Sequence, residues 1–320
     1  MLKTYLVTGG AGFIGSNLIQ ELLQDSNNKV ICIDNFDSYY SKEVKLNNIN
    51  RSRDNINFEF YDIDILDLLS LKEIFKKYNF NYIIHLAAKA GVRSSFENPL
   101  DYAQVNVLGT LNLLDIAKDY NIKKFIFASS SSVYGVNKGL FSEGMKLGKP
   151  ISPYAASKIS AENFCYTYNI NYNIPIICLR FFTVYGPYQR PDLAISKFTK
   201  FIIENKKIPF YGNGETKRDY TYIDDIISGI ISSINYDTTN FEIINLGSNN
   251  PITLSNLVEI LEQNLGKKAS FEKMKIPNGD VPSTFADLTK AEKLLNYKPQ
   301  INISTGIEKF ISWFKENYYK

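Results

Sequence analysis

The sequence predicts an α/β protein in which a doubly wound parallel sheet is followed by a smaller C-terminal α/β domain. Two observations support this fold class. Over the first 180 or so residues, short apolar runs alternate with longer amphipathic ones, which is the pattern of strand–helix–strand units with parallel crossovers. The short runs are rich in Ile, Val, Phe and Tyr and almost continuously apolar, as expected of strands covered by helices on both faces.

The predicted elements follow in order along the chain. The strand-like runs are YLVTG (5–9), KVICID (29–34), FEFYDI (58–63), NYIIHLA (81–87), KKFIFASS (123–130) and IPIICLRFF (174–182). Between them, apolar residues recur at helical spacing over 14–23, 68–77, 102–119 and 154–168. The C-terminal segment ISWFKENYYK has the amphipathic pattern of a helix.

The pattern loosens after residue 182. Prolines and glycines then interrupt the apolar runs, at Pro187, Pro191, Pro209, Gly212 and Gly214. We therefore predict two domains, residues 1–182 with the parallel sheet and residues 183–320 forming most of a second domain. The run FEIINLG (241–247) is predicted as a strand that returns to the first sheet.

Composition excludes several classes of function. The 320 residues are 44% hydrophobic and 22% charged, ordinary values for a globular enzyme. The formal net charge is only +3, so neither nucleic acid nor an anionic membrane is predicted as a partner. No apolar run approaches the ~18 residues typical of a membrane span.

Cysteine and histidine usage predicts no metal site. Cys32, Cys165 and Cys178 lie far apart without a CxxC pair, which argues against a disulfide framework and against zinc. The single histidine, His85, lies in the apolar run IIHLAA, where a hydrogen-bonded core histidine is the expected role. The sequence shows no apolar leader segment at its start, so we expect a cytoplasmic protein.

The turn after the first predicted strand has the spacing of a dinucleotide site. TGGAGFIG places Gly9, Gly12 and Gly15 where that strand passes into the first helix, so that a pyrophosphate can approach the free amides of the helix N-terminus. Asp34 ends the next strand, where a carboxylate binds the adenosine ribose and repels a 2′-phosphate. The predicted cofactor is therefore NAD rather than NADP. Its predicted contacts in these turns also include Phe13, Ile14 and Asn35.

Asp64 and Ile65 follow the third predicted strand. A carboxylate and a backbone amide at this place can hold an adenine ring. The alternative for Asp64 is to cap the N-terminus of the following helix, and the sequence leaves both roles open.

Tyr154 and Lys158 form the candidate chemical site. They stand four residues apart in SPYAASK, which places them on one face of a helix with about 3.6 residues per turn. Because a nearby ammonium favours the phenolate, Lys158 is predicted to lower the pKa of Tyr154. Such a tyrosine can accept a proton near neutral pH.

Five motifs together resemble the extended short-chain dehydrogenase/reductase family, and within it the nucleotide-sugar epimerases. They are TGGAGFIG, SSSSVYG (129–135), YAASK (154–158), LRFFTVYGP (179–187) and RDYTYIDD (218–225), and the resemblance covers essentially the whole chain. It implies a Rossmann-type fold, NAD, a UDP-sugar substrate and a homodimer paired through the helices near 102–119 and 154–168. It also implies that Ser130 acts in catalysis with Tyr154 and Lys158.

The two residues after Ser130 distinguish between reactions of this family. Members that dehydrate or decarboxylate their substrate carry Asp or Glu directly after the catalytic serine or threonine. This chain has Ser131 and Ser132 instead. The resemblance therefore implies that the hydride taken from the sugar is returned to it, which is epimerisation.

Other stretches resemble UDP-glucuronate 4-epimerases more than the enzymes for UDP-glucose or UDP-N-acetylglucosamine. They are DNFDSYY (34–40), AGVRSSFENP (90–99), RPDLAISKFTKFI (190–202) and KRDYTYIDDI (217–226). Thr183 stands where glucose-type epimerases carry Asn. Together with Arg190, whose planar fork suits a carboxylate, it is expected to hold the uronate group. The alternative for Arg190 is a structural ion pair.

The resemblance also implies the remaining contacts. Arg218 is expected at the UDP diphosphate and Asp280 near the uridine ribose. The segment KIPN (275–278) departs from the family, which often has Gln or Arg shortly before GDVP. The further contacts implied are Ala87, Lys89 and Asn106 for the cofactor, and Arg93, Ser131 and Ser132 for the substrate.

The sequence thus predicts NAD-dependent 4-epimerisation of a UDP-hexuronic acid, UDP-glucuronate to UDP-galacturonate, through a transient 4-keto intermediate. Three alternatives stay open. They are the same reaction on UDP-glucose or UDP-N-acetylglucosamine, decarboxylation of UDP-glucuronate, and a non-catalytic NAD-binding protein on the same fold.

Overall fold

The computed structural model describes residues 2–137 and 139–319. Its strands are β1 (Lys3–Thr8), β2 (Asn28–Asp34), β3 (Phe58–Asp62), β4 (Tyr82–His85), β5 (Lys124–Ser130), β6 (Ile176–Phe181), β7 (Thr183–Tyr185), β8 (Lys207–Tyr211), β9 (Lys217–Tyr222), β10 (Phe241–Leu246), β11 (Pro251–Thr253) and β12 (Ser270–Met274). Its α-helices are α1 (Phe13–Leu22), α2 (Lys42–Asn50), α3 (Leu68–Lys77), α4 (Val92–Glu97), α5 (Pro99–Ala103), α6 (Gly109–Ala117), α7 (Pro153–Tyr172), α8 (Ala194–Ile203), α9 (Ile223–Asn235), α10 (Leu254–Leu265), α11 (Thr289–Leu295) and α12 (Ile303–Tyr318).

Seven strands form one fully parallel sheet in the order β10-β6-β5-β4-β1-β2-β3. The predicted fold class is confirmed. The strand order reverses between β1 and β4, so the loops that follow these two strands run in opposite directions and leave a crevice at the carboxyl edge of the sheet. Ligands of doubly wound sheets bind at this switch point.

The central sheet is buried on both faces. In β1, Leu6 packs into the cluster that includes residues of α3 and α6, while its neighbour Val7 packs into the cluster that includes residues of α1 and α9. Both side chains are fully buried, which stabilises the fold by about 1.5–3 kcal/mol each. This two-sided burial explains the nearly continuous apolar runs, because a strand covered on one face only would alternate with polar residues.

The helix predicted over 102–119 is not one regular helix. A π-helical segment, Gln104–Leu108, separates α5 from α6. Within it the Asn106 carbonyl accepts a hydrogen bond from the Thr110 hydroxyl at 2.7 Å. A π segment inserts one residue into the turn, and such insertions are frequent at functional sites. Periodicity alone does not reveal this insertion, because the apolar face continues on either side of it.

Helix α7 has sharp ends that the sequence encodes locally. The Ser152 hydroxyl accepts the Ala155 N–H at 3.1 Å, and Pro153 occupies the first helical position. Asn173 ends the helix in the left-handed region with φ of 56°. The start of α7 is thereby fixed just before Tyr154.

The C-terminal part of the chain adds two small sheets and also completes the large one. Strands β11, β9 and β7 form a three-stranded sheet, and β12 pairs with β8. Strand β10 pairs with β6 from Phe241 opposite Ile176 to Leu246 opposite Phe181, so the predicted strand near 241–247 lies in the first sheet. The domain division at residue 182 stays a prediction. Within the described residues, no helix has the length and apolarity that crossing a membrane requires.

Candidate active site

One cleft at the carboxyl edge of the sheet brings together almost all of the predicted site residues. It encloses about 460 Å³ and is walled by the turns after β1 to β5, the start of α7 and parts of the C-terminal segment. The predicted residues that line it are Gly9, Gly12, Phe13, Ile14, Gly15, Asp34, Asn35, Asp64, Ile65, Ala87, Lys89, Ser130, Ser131, Ser132, Tyr154, Lys158, Thr183, Arg190, Arg218 and Asp280. Arg93 and Asn106 are the two that do not.

The glycine turn after β1 packs so closely against neighbouring backbone that Gly9 and Gly15 cannot carry a side chain. Gly9 has a φ of +68°, and a Cβ there would lie 2.6 Å from the Ala87 nitrogen. A Cβ on Gly15 would lie 2.5 Å from the Gly9 carbonyl oxygen. Gly12 begins α1 without any side-chain cap, so the first amides of that helix are open to the cleft. The turn therefore fits the pyrophosphate of a dinucleotide.

Asp34 lines the cleft at the end where the sequence predicts an adenosine. Its carboxylate accepts the Phe36 N–H at 2.9 Å and the Ala11 N–H at 3.1 Å. Burial raises its pKa, and the nearby Lys45 ammonium opposes this effect. Each carboxylate oxygen has a second lone pair, so the group retains acceptors for a ribose.

Asp64 does not cap the helix that follows it. Its carboxylate accepts hydrogen bonds from the Asn35 amide and the Leu66 N–H, each at 2.8 Å. Asp67 caps α3 instead, by accepting the Ser70 N–H at 3.1 Å. The capping alternative is therefore wrong, and Asp64 stands at the wall of the cleft beside Asn35.

Asn106 differs from its predicted role as a cofactor contact. Its side chain is 1% exposed and bonds both the N–H and the carbonyl of Lys89, at 2.8 and 3.0 Å. The same amide donates to the Ser157 hydroxyl on α7 at 2.9 Å. With these partners Asn106 shapes the cleft through the Lys89 segment rather than by lining it. The Lys89 ammonium lies 2.7 Å from Asp37 Oδ2.

Tyr154 and Lys158 lie one turn apart on α7, as the spacing predicts. The buried Lys158 ammonium donates to the Ala128 carbonyl of β5 at 2.7 Å and lies 4.9 Å from the centre of the Phe127 ring. Burial lowers the pKa of Lys158 to about 8. Lys158 is thus anchored to the strand that ends in Ser130.

The prediction that Tyr154 has a lowered pKa is wrong for the free protein. Burial raises the pKa of its phenol, and the Ser130 hydroxyl and the positive charge of Arg190 only partly oppose this. The charge of Lys158 is evident from the sequence, whereas the desolvation of the phenol depends on the tertiary structure.

His85 has the structural role that the sequence favours. Its ring nitrogens lie 2.7 Å from the Thr8 hydroxyl and 2.9 Å from the Thr110 hydroxyl, and it is 1% exposed. Burial and the charge of Lys158 lower its pKa to about 3. His85 is therefore neutral and fully hydrogen-bonded. In the part of the chain that the structure describes, no cluster of His, Cys, Asp or Glu could hold a metal ion.

Ser131 and Ser132 form a 3₁₀ turn that follows β5. The Ser132 N–H donates to the Ser130 hydroxyl at 3.1 Å. The Ser132 hydroxyl is buried at the cleft wall, and no group of the described residues bonds it. A buried hydroxyl of this kind is available to a ligand.

Arg190 lines the cleft together with Thr183, and its guanidinium forms a bidentate ion pair with a carboxylate. Asp192 accepts from Arg190 Nε at 3.0 Å and from Nη2 at 2.9 Å. The guanidinium lies 5.2 Å from the centre of the Tyr39 ring. The Arg190 guanidinium can therefore bind a carboxylate bidentately, and in the free protein it binds that of Asp192.

Arg218 and Asp280 bond each other at the far end of the cleft. The Arg218 guanidinium also donates to the Lys217 carbonyl at 2.7 Å. Arg93 stacks on Tyr211, 4.3 Å from the ring centre, with Nη2 3.7 Å from Asp280. These groups line a second, adjoining cavity of about 330 Å³, which extends the cleft.

Sequence reasoning misses three residues of this site, Tyr39, Asp192 and Tyr211. Asp192 stands two residues after Arg190, and that spacing is a signal for an ion pair. Tyr39 lies in the DNFDSYY stretch, but its contact with Arg190 joins positions 151 apart. Tyr211 ends β8, and nothing in the sequence links it to Arg93.

Comparison with known proteins identifies the family. The profile of the family described as GDP-mannose 4,6 dehydratase matches residues 6–310. A UDP-glucuronate 4-epimerase of Thermodesulfobacterium geofontis (strain OPF15) is 46% identical over 314 residues, which are 98% of this chain and 96% of that protein.

Two solved structures share the fold over nearly the whole chain. The UDP-glucuronic acid 4-epimerase of Bacillus cereus, in complex with UDP-glucuronic acid and NAD, is 38% identical with a TM-score of 0.92, over 98% of this chain and 100% of that one. The UDP-glucose 4-epimerase of Thermotoga maritima, with UDP-glucose, is 31% identical with a TM-score of 0.90, over 98% and 99%. The chain therefore belongs to the family of extended short-chain dehydrogenases/reductases that includes the nucleotide-sugar 4-epimerases.

Proposed function

We propose that this protein is an NAD-dependent 4-epimerase that interconverts UDP-glucuronate and UDP-galacturonate. The observation that carries the proposal is the placement of Tyr154, Lys158 and Ser130 in one cleft with the open glycine turn and the Arg190 fork. The names of the Thermodesulfobacterium and Bacillus relatives, and the UDP-glucuronic acid and NAD bound in the Bacillus structure, support the same substrate and cofactor.

NAD would be held along the carboxyl edge of β1 to β4. The amides at the start of α1 would bind its pyrophosphate, Asp34 its adenosine ribose, and the segment at Asp64 and Ile65 its adenine. Lys158 would bind the nicotinamide ribose. Bound NAD supplies a reversible acceptor for the hydride of sugar carbon 4.

Tyr154 would move the proton. Its phenolate takes the proton of the 4-hydroxyl as the hydride leaves carbon 4, and the phenol returns that proton when the hydride comes back to the opposite face. Because burial raises the pKa of Tyr154, the phenolate needs stabilisation. The Ser130 hydroxyl and the positive charge of Arg190 supply part of it, and the charge of Lys158 and the N-terminal position of Tyr154 in α7 would add to it.

Thr183 and Arg190 would hold the uronate carboxylate. Oxidation at carbon 4 makes the sugar a β-keto acid, and the bond to the carboxylate carbon then breaks easily. A carboxylate gripped at both oxygens resists the reorientation that decarboxylation requires. The substrate carboxylate would take the place of Asp192, the group that the Arg190 fork binds in the free protein.

We also propose a homodimer. Helix α7 contacts both α5 and α6, and this part of the chain leaves large apolar side chains exposed, as expected of an interface. They include Leu100 of α5, Leu108 of the π segment, and Phe164, Tyr166 and Ile170 of α7. The resemblance of the sequence to the family implies that the same helices pair across the dimer.

Proton NMR of the purified protein with UDP-glucuronate, and with no added NAD, tests the proposed function. We expect the anomeric signal of UDP-galacturonate to appear, because NAD that is regenerated in each cycle stays bound. In a Tyr154→Phe variant, kcat should be lower by roughly 10²–10⁴-fold, because the variant lacks the proton acceptor.

The variant should bind NAD and unfold at the temperature of the parent protein. Near-normal turnover by Tyr154→Phe would refute the assigned base. Conversion of UDP-glucose or UDP-N-acetylglucosamine in place of UDP-glucuronate would refute the assigned substrate while leaving the reaction type intact.

An Arg190→Ala variant tests the carboxylate site. We expect kcat/KM for UDP-glucuronate to fall about 10- to 100-fold, because a charge-assisted bidentate contact is lost, and carbon dioxide release to begin. Turnover of UDP-glucose should change little. Arg51→Ala is the matched control, because Arg51 stacks on Tyr188 of the same loop at 3.8 Å but does not line the cleft. An equal fall in kcat/KM for UDP-glucuronate and UDP-glucose would indicate that Arg190 has a structural role, and would contradict its proposed contact with the carboxylate.

Light scattering of the purified protein tests the dimer. We expect twice the chain mass, and a single-chain mass for a Leu100→Glu variant, because a carboxylate opposes burial in an apolar interface. Ile56→Glu is the control, since Ile56 is 94% exposed on another helix–strand connection. A single-chain mass for the parent protein would refute the dimer.

We propose a cytoplasmic location. Cys32, Cys165 and Cys178 are buried free thiols, and reducing compartments keep thiols in this state. Protein isolated from its own cells and denatured without reductant should release three titratable thiols. A disulfide in that material would contradict the proposed compartment.

A further inference from the structure

Three polar residues of α7 meet three consecutive residues of β5. Tyr154, Lys158 and Glu162 are spaced by one helical turn and share one face of the helix. Their partners are Ser130, the Ala128 carbonyl and the Ser129 hydroxyl, respectively. In the third pair, Ser129 lines the cleft and Glu162 lies outside it, and no step of the proposed reaction uses either residue.

Glu162 also bridges the neighbouring strands β5 and β6. Ser129 of β5 and Arg180 of β6 are paired across the sheet. Arg180 donates to Glu162 through Nε at 2.9 Å and through Nη2 at 2.7 Å, and Ser129 donates to the same carboxylate. Glu162 is 4% exposed and Arg180 is 2% exposed. One buried carboxylate thus fixes the helix that carries Tyr154 and Lys158 against the strand that carries Ser130.

Arg180 is fixed from its other side. Its guanidinium lies 4.9 Å from the centre of the Tyr134 ring, and Tyr134 donates to the Asn245 side chain of β10 at 2.7 Å. Tyr134 ends the 3₁₀ turn of Ser131 and Ser132. The network therefore spans β5, β6, β10 and α7 and reaches the turn beside the sugar end of the cleft.

Few charged groups surround Lys158. The groups that face it are Tyr154, Glu162 and Cys165 from α7, the Ala128 carbonyl and Phe127 ring from β5, Cys178 from β6 and the neutral His85 from β4. Burial lowers the pKa of Lys158, and Cys165, Glu162 and Cys178 act in the opposite direction. Of these three, Glu162 is the carboxylate, and Arg180 holds it in place.

We propose that Glu162, held by Arg180 and Ser129, is a positioning residue for proton transfer: it keeps a carboxylate one helical turn after Lys158 on the same face of α7 and fixes that face in register with Ser130. The proposal rests on the proposed roles of Tyr154 and Lys158. Buried ion pairs can often be replaced by apolar residues without loss of stability, so stability alone does not account for this pair.

The test replaces both charges at once, in the double variant Glu162→Met and Arg180→Met. Removing both avoids leaving one buried charge without its partner. Carbon-13 NMR of the lysine side chains in the full-length protein gives the pKa of Lys158, with its signal assigned by its loss in Lys158→Met. We expect this pKa to be lower in the double variant than in the parent. This readout does not depend on turnover.

Turnover gives the second readout. In the double variant, the alkaline limb of the pH profile of kcat should move to lower pH. The loss of kcat relative to the parent should be about tenfold larger near pH 9 than near pH 7. KM for the UDP-sugar should stay within about threefold of the parent value. Asp225→Asn is the control. Asp225 is a buried carboxylate away from the cleft, and among the described residues it accepts hydrogen bonds from the Gln300 and Ile301 N–H groups. Its replacement should lower the unfolding temperature but leave both the Lys158 pKa and the kcat profile unchanged.

A Ser129→Ala variant covers the case in which the double variant does not fold. It removes only the hydroxyl that ties Glu162 to β5, so kcat should fall several-fold with KM and the Lys158 pKa unchanged. A folded double variant with the parent Lys158 pKa, or Ser129→Ala with the parent kcat, would overturn the proposal. If the parent protein does not epimerise, the proposed function fails, and the NMR titration still decides whether Glu162 acts on Lys158.

Discussion

The packing of α7 against the carboxyl end of β5 is the constraint on which the site depends. A parallel sheet places the ends of β1 to β5 at one edge, and the crevice there accepts a long ligand. The proposed proton-transfer group, however, comes from a helix and not from a strand end. The contact of Lys158 with the Ala128 carbonyl, one turn after Tyr154, helps to bring that group to the crevice.

Burial has opposite consequences for the two chemical residues of α7. It raises the pKa of the Tyr154 phenol and lowers that of the Lys158 ammonium, so desolvation alone would leave both groups neutral. Polar and charged neighbours oppose it in each case, Ser130 and Arg190 for the phenol, and Glu162 among others for the ammonium. The reactivity of this site is therefore set by a few fixed groups in a dry environment, where each acts more strongly than in water.

The sequence predicts those features that depend on residues close together in the chain. The glycine turn, the strand that ends in Asp34 and the Tyr154–Lys158 face of α7 are local, and each is found where it is predicted. Long-range pairings escape prediction, as with Asn106, which binds the Lys89 backbone, and Arg218, which binds Asp280. The direction of the Tyr154 pKa shift cannot be predicted from the sequence for the same reason, because burial is a property of the whole fold.

Membership of a family named for a dehydratase does not by itself select the reaction, because the fold hosts several reactions. Elimination of water from a keto sugar requires an acid and a base beside the sugar ring. Among the described residues that line the cleft, the carboxylates are Asp34, Asp37, Asp64 and Asp280. Asp34, Asp37 and Asp64 follow the strands of the predicted adenosine end, and Asp280 pairs with Arg218. Asp192, in the adjoining cavity, is held by Arg190. Beside Ser130 the cleft offers the Ser131 and Ser132 turn, which can hold a substrate oxygen but cannot serve as a carboxylic acid. Among the described residues of the cleft, Tyr154 is therefore the one group proposed for proton transfer, and a single such group suffices for a reaction that returns the hydride it takes.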